Sequence, residues 1–194
     1  MGGAVLLVVG AAVGLLVLVA IIVVVLYNGL VSKRVDTDNA WSQIGVQLER
    51  RHDLIPNVVE TVKGYAAHEK GTFDAVIQAR AKAMSVPSNA GNAGELSRAE
   101  GELTQAMGRL FALAEAYPEL KANTNFLSLQ EELSGTENKI GFARQHFNDT
   151  VGRYEEARQS FPGNIVAGMF GFKKREFYEV EGKNVREAPK VSFG

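Results

Sequence analysis

From position 4 to position 26 every residue is apolar or glycine, a run of 23. At ~1.5 Å per residue a helix of that length rises about 34 Å, enough to cross ~30 Å of hydrocarbon. A soluble domain of this size rarely holds a helix that is apolar on every side. A cleaved leader would carry a charged start, a shorter apolar core and a small-residue exit. None of these frames the run, which leaves through Leu26-Tyr27-Asn28. The pattern predicts a retained transmembrane helix over 4–26, with 1–3 as a short outer segment.

Beyond the run the apolar positions fall into steps of three and four, the mark of half-buried helices. Trp41, Ile44, Leu48, Ile55, Val58, Val59, Val62 and Tyr65 continue the span without a stop signal. One helix is expected from the span to about 65–67, kinked at Pro56, which lacks an N–H and presses on the carbonyl of His52. A second is expected at 69–84. The turn formers of 85–94 predict a loop, with Asn92 and Glu95 arranged like a helix cap. A third helix follows at 95–116, closed by Tyr117-Pro118. The fourth runs through Phe126, Leu133, Ile140, Phe147, Val151 and Tyr154 to Phe161, and Pro162-Gly163 stops it. A short helix or turn and an extended tail complete 162–194. The fold class is all-α: one N-terminal span, then a coiled-coil-like antiparallel bundle of long helices over 27–161.

Helix lengths decide where the chain ends. Short loops make neighbouring helices antiparallel. Rises of about 60 and 33 Å offset descents of about 25 and 55–60 Å, so the segment FGFKKREF (170–177) returns beside the bilayer. Placing Tyr27 level with Phe161 also puts Trp41 opposite Phe147 and Arg51 opposite Glu137. Arg51 and Glu137 are the candidate register pair, since a charge pair in a helical seam penalises wrong registers more than it stabilises.

Charge changes the picture in two ways. Twenty-one Lys+Arg against 22 Asp+Glu is no excess for a nucleic-acid binder. The first cations, Lys33 and Arg34, follow the span directly. Cations stay on the cytoplasmic side, so an outer N-terminus and a cytoplasmic domain are expected. Phe170, Phe172, Lys173, Lys174, Arg175 and Phe177 are candidates for contact with an anionic leaflet or a neighbouring subunit. Gly10 and Gly14 form a GxxxG pair that permits close contact between spans.

Candidate chemistry is sparse. There is no cysteine, which excludes disulfides and thiolate catalysis. No HExxH, Walker lysine or GxGxxG occurs, and Ser42, Ser97, Ser128 and Ser134 have no base at a recognisable spacing. His52, His68 and Asp53 read as solvated helix-surface residues. No cofactor or metal is expected.

Three blocks carry a resemblance: NAWSQIGVQLERRHDLIPNVVETVKGYAAHE (39–69), LFALAEAYPELKANTNFLSLQEELSGTENKI (110–140) and FPGNIVAGMFGFKKREFYE (161–179). They resemble the LemA family of bacterial membrane proteins, from 38 to 179. The resemblance implies one N-terminal span and a cytoplasmic domain of long antiparallel helices in the bacterial cytoplasmic membrane; it implies no active-site residues. The expected function is a non-enzymatic, membrane-anchored scaffold that self-associates and organises membrane or partner proteins. An accessory subunit of a membrane protease or signalling system, with the chemistry in its partner, is the alternative.

Overall fold

The computed structural model describes residues 2–87 and 92–178. The outermost methionine, the centre of the 85–94 loop and the tail from 179 onward lie outside the described residues. Six helices follow in chain order, and no strand occurs among the described residues: α1 (Gly2–Lys63), α2 (Lys70–Ser85), α3 (Ala93–Ala114), α4 (Pro118–Lys121), α5 (Thr124–Gln159) and α6 (Gly163–Met169).

The apolar run and the first bundle helix are one helix of 62 residues. Its first part is exposed on all sides, and burial begins at Leu30. From there α1 packs along α5, and Trp41 meets Phe147 edge-on at 5.1 Å between ring centroids. Ile44, Val58, Ile140 and Phe147 have no exposed surface. The hairpin of α2 and α3 closes over this pair, adding Phe73, Val76, Leu103 and Leu110 to the same core.

Pro56 lies within α1, and the helix runs through it without interruption. Proline cannot donate to the carbonyl four residues earlier, so the His52 oxygen loses its helical partner. Arg80 of α2 replaces it, its Nε donating to that oxygen at 2.8 Å. Arg80→Met keeps the apolar stem and removes the donor. It is expected to destabilise the bundle by roughly 1–3 kcal/mol, the range for a buried group left unpaired. Thermal unfolding followed by helical circular dichroism checks it.

One expectation is corrected and another is extended. Asn92 makes no side-chain cap on α3; its amide instead donates to the Pro87 carbonyl at 3.4 Å. Tyr117-Pro118 does end a helix, but it also starts the short α4, where proline at the first position needs no N–H. That turn buries Leu120 completely. The cap of α5 is Asn123, whose oxygen accepts from the Phe126 amide at 3.0 Å. Its amide donates to the Tyr65 hydroxyl at 2.9 Å, joining the two long helices at the end remote from the apolar run.

Candidate functional site

The returning segment is built by a tight exit from α5. A Cβ at Gly163 would lie 2.4 Å from the Ala157 carbonyl oxygen, so only glycine admits this approach of α6 to α5. At the other end of α6, Gly171 takes a φ of 70°. The Phe172 amide then donates back to the Ala167 carbonyl at 2.9 Å, the six-to-one bond of a left-handed helix cap. This turn swings Phe172 inward. It joins Leu30, Tyr154, Val166 and Ala167 in a small second core, with Val23, Leu26 and Val31 of α1 against it. Tyr27 packs edge-on to Phe170 at 4.8 Å and to Phe172 at 5.6 Å. Arg34 lies over the Phe172 ring at 5.5 Å, within cation–π range. The basic-aromatic segment therefore sits where α1 stops being fully exposed.

From Phe172 to Tyr178 the chain is extended along α5 and fastened at two levels one heptad apart. At the first, the Tyr154 hydroxyl donates to the Lys173 carbonyl at 2.7 Å, and Glu155 accepts from the Arg175 amide at 2.8 Å. At the second, Asn148 exchanges two bonds with the Tyr178 backbone, at 2.8 and 3.1 Å. Tyr178 is buried beside Trp41, with Arg144 over its ring at 4.7 Å. Burial pushes the Tyr178 phenol up, and the charge of Arg144 opposes it. The Arg175 guanidinium reaches Asp38 of α1 at 2.8 Å. Lys173 and Lys174 are exposed, and Phe170 and Phe177 are partly so.

Glu155 holds this fastening by charge. Burial raises its carboxyl, but bonds from Arg158, the Arg175 amide and Gln159 outweigh that and hold it below its ordinary 4.5. A carboxylate depressed in the folded state stabilises it above the unfolded value, and the gain is lost as pH falls through the folded value. The attachment of Arg175 is therefore expected to weaken only below about pH 4.5. The Arg175 amide resonance should shift with acid, while that of Tyr178, held by the non-titrating Asn148, should not.

Deeper in the bundle lies a charge cluster. Arg51 Nη1 bonds Glu100 Oε2 at 3.0 Å, and His52 Nε2 lies 2.8 Å from Glu100 Oε1. Arg51 also donates to the Thr104 hydroxyl at 2.8 Å. Its other terminal nitrogen lies 3.5 Å from Glu137 on α5, whose side chain is 45 % exposed. Arg51 and Glu137 are thus brought together, but the buried partner of Arg51 is Glu100. His52 is not a solvated surface residue: it is buried against α3, whereas Asp53 and His68 are exposed. Sequence reasoning missed Glu100. Its signal was available, since Glu100 stands four residues after Leu96 and three before Leu103, in the apolar stripe of α3.

Gly10 and Gly14 face open space, with nothing within 4 Å of an added Cβ. Among the described residues no group of three or more His, Cys, Asp or Glu could hold a metal ion. A cleft of about 500 Å³ opens between Arg34, Tyr154, Lys173, Lys174, Arg175 and Glu176.

The model of the LemA family matches residues 40–193. Among relatives, the magnetosome protein MamQ of Magnetospirillum gryphiswaldense is 27 % identical over 191 residues, covering 86 % of this chain and 70 % of that protein. A MamQ protein of Paramagnetospirillum magneticum is 25 % identical over 175 residues, covering 79 % of this chain and 64 % of the relative. Protein LemA of Metamycoplasma hominis is 25 % identical over 153 residues, covering 79 % and 66 % respectively. The chain spans about two thirds of the length of these relatives. Neither the family nor these relatives bear an enzyme's name, and with an apolar helix of spanning length they mark a membrane-associated protein. The family model covers most of the sequence, and the chain belongs to the LemA family.

Proposed function

We propose that this LemA-family chain is a non-enzymatic scaffold: α1 crosses the bacterial cytoplasmic membrane, and the bundle stands on the cytoplasmic side as a rod that presents its faces to partners and to further copies of itself. The observation that carries this reading is the unbroken α1, half span and half bundle, with the end of the bundle packed on its membrane exit at Tyr27 and Leu30. A flexible linker would let the domain tumble; a continuous helix braced on one side fixes its direction. The first cations, Lys33 and Arg34, support the orientation. The clustered charges also support a structural role, because the Glu100 side chain has no exposed surface and offers nothing to a substrate.

Exposed apolar residues on the rod, such as Phe142 and Val46, and the bare Gly10–Gly14 face of the span support self-association. The test is the mass of the full chain in lipid discs, by light scattering and by imaging. A symmetric particle of several 21.0 kDa chains is expected, with fewer chains once Gly10→Leu and Gly14→Leu are introduced. A monomer at all concentrations would remove the self-association.

A further inference from the structure

The short helix α6 carries an apolar surface that the bundle does not use. It turns Val166 and Ala167 inward. On its other side and at its ends, Phe161 is 80 % exposed and Met169 69 %, with Ile165 and Phe170 more than half exposed. These four large apolar side chains form one collar. Its height is set by contacts: α6 packs on Val23, Leu26 and Leu30, and Phe170 packs on Tyr27. That is the last stretch of the apolar run and the turn after it. The bare surface of the apolar run therefore leads up to the collar, and with α1 as a span the collar stands where hydrocarbon gives way to headgroups.

Just above the collar, on the side away from the hydrocarbon, the cleft of about 500 Å³ gathers Arg34, Lys173, Lys174 and Arg175 against one carboxylate, Glu176. Arg175 is engaged by Asp38. Among the described residues, Arg34, Lys173 and Lys174 show no ion pair, and Arg34 is held over Phe172. With Arg175 paired to Asp38, three cations and one carboxylate leave the cleft with an excess of positive charge. A flat sequence of charges in solvent would not need that geometry.

We propose that α6 and the residues after it form an interfacial foot. Phe161, Ile165, Met169 and Phe170 enter the headgroup–acyl boundary of the leaflet that α1 leaves, and Arg34, Lys173 and Lys174 hold the phosphate of an anionic phospholipid. The proposal rests on α1 being a membrane span. Apolar side chains with cations on the neighbouring rim are the chemistry of a helix lying in an interface. Near an anionic leaflet each cation strengthens lipid retention about fivefold. The foot gives the rod a second attachment beside its anchor, so that the span can neither swivel nor tilt freely beneath the bundle.

The chain has no cysteine, so single labels are unambiguous. Spin labels at Met169→Cys, Val17→Cys in the span and Glu119→Cys at the remote end of the bundle are compared in vesicles of phosphatidylglycerol and phosphatidylcholine. Collisions with oxygen report lipid, and collisions with a water-soluble nickel complex report solvent. The foot predicts that 169 resembles 17, displaced toward the headgroups, and that 119 resembles water. If 169 resembles 119 while 17 remains in lipid, the foot is wrong and the anchor stands. If 17 also reads as solvent, the span reading itself fails.

The phosphate site is tested on the full chain by native mass spectrometry of retained phosphatidylglycerol. The triple variant Arg34→Gln, Lys173→Gln, Lys174→Gln should lose retention by up to about 100-fold, three fivefold steps. Unchanged retention overturns the site. Displacement of the lipid by inorganic phosphate, with the depth of 169 unchanged, assigns the cleft to a free anion and overturns the lipid assignment.

Discussion

Glu100→Ala is expected to destabilise the bundle by about 3–5 kcal/mol, the largest effect of any single polar substitution here. Glu100 is 1 % exposed, and its two oxygens each serve a different buried side chain of α1, Arg51 and His52. Removing the carboxylate leaves a guanidinium in a low-dielectric seam with only Thr104 and the half-exposed, more loosely placed Glu137 at 3.5 Å. That loss corresponds to a fall in Tm of roughly 10 °C for a domain of this size. Replacing the set together, by Arg51→Met, His52→Leu and Glu100→Leu, is expected to recover most of it. A whole buried ionic group exchanged for apolar residues of similar volume is often neutral, whereas a broken one is not. Thermal unfolding of both variants in detergent, read by circular dichroism, checks the pair of outcomes. Arg51→Glu would set a carboxylate against Glu100, so a charge swap between positions 51 and 137 cannot isolate that pair.

Trp41→Ala is expected to cost about 3–5 kcal/mol, as for other large aromatic residues deleted from a core. Trp41 is where three parts of the fold meet: its own helix α1, Phe147 of α5 at 5.1 Å, and Tyr178 at the end of the returning segment at 6.2 Å. The cavity therefore opens at a junction, and the segment 172–178 loses its upper support. Two readouts should move together. Global unfolding shifts to lower temperature, and the Tyr178 amide exchanges faster than the Phe172 amide, which is held by Ala167 at the other end. Phe147→Ala should match the first effect with less of the second. Equal exchange at both ends in Trp41→Ala would mean that the segment is not anchored through that ring.

The helices were legible because their signals are local. The 23-residue apolar run, the three–four steps and the Phe161-Pro162-Gly163 stop each act within a few residues. The pairing of Trp41 with Phe147 follows from setting Tyr27 level with Phe161, because α5 is about as long as the part of α1 beyond the apolar run and leaves little freedom in register. What stayed hidden depends on how separate pieces meet. Nothing in the neighbourhood of His52 says that α3 will cover it, and burial turned an apparently solvated residue into a partner of Glu100. Arg80 shares the apolar side of α2 with Phe73 and Val76, and its task shows only when the carbonyl freed by Pro56 is set beside it. The tail after α6 is too apolar to stay free, but nothing local names α5 as the surface that takes it. The heptad spacing of Asn148 and Glu155 that fastens it is polar, and polar spacing carries no periodic signature.

Imaging of the full chain in lipid discs measures the central claim most directly, through the path of α1 across the membrane surface. Residues 27–63 of an unbroken helix rise about 54 Å. The account predicts density continuous through Tyr27–Lys33, the Tyr65–Asn123 end near that height above the leaflet, and α6 against the headgroups. A break in α1 at the exit, with the bundle lying along the bilayer or swinging free of it, would contradict it.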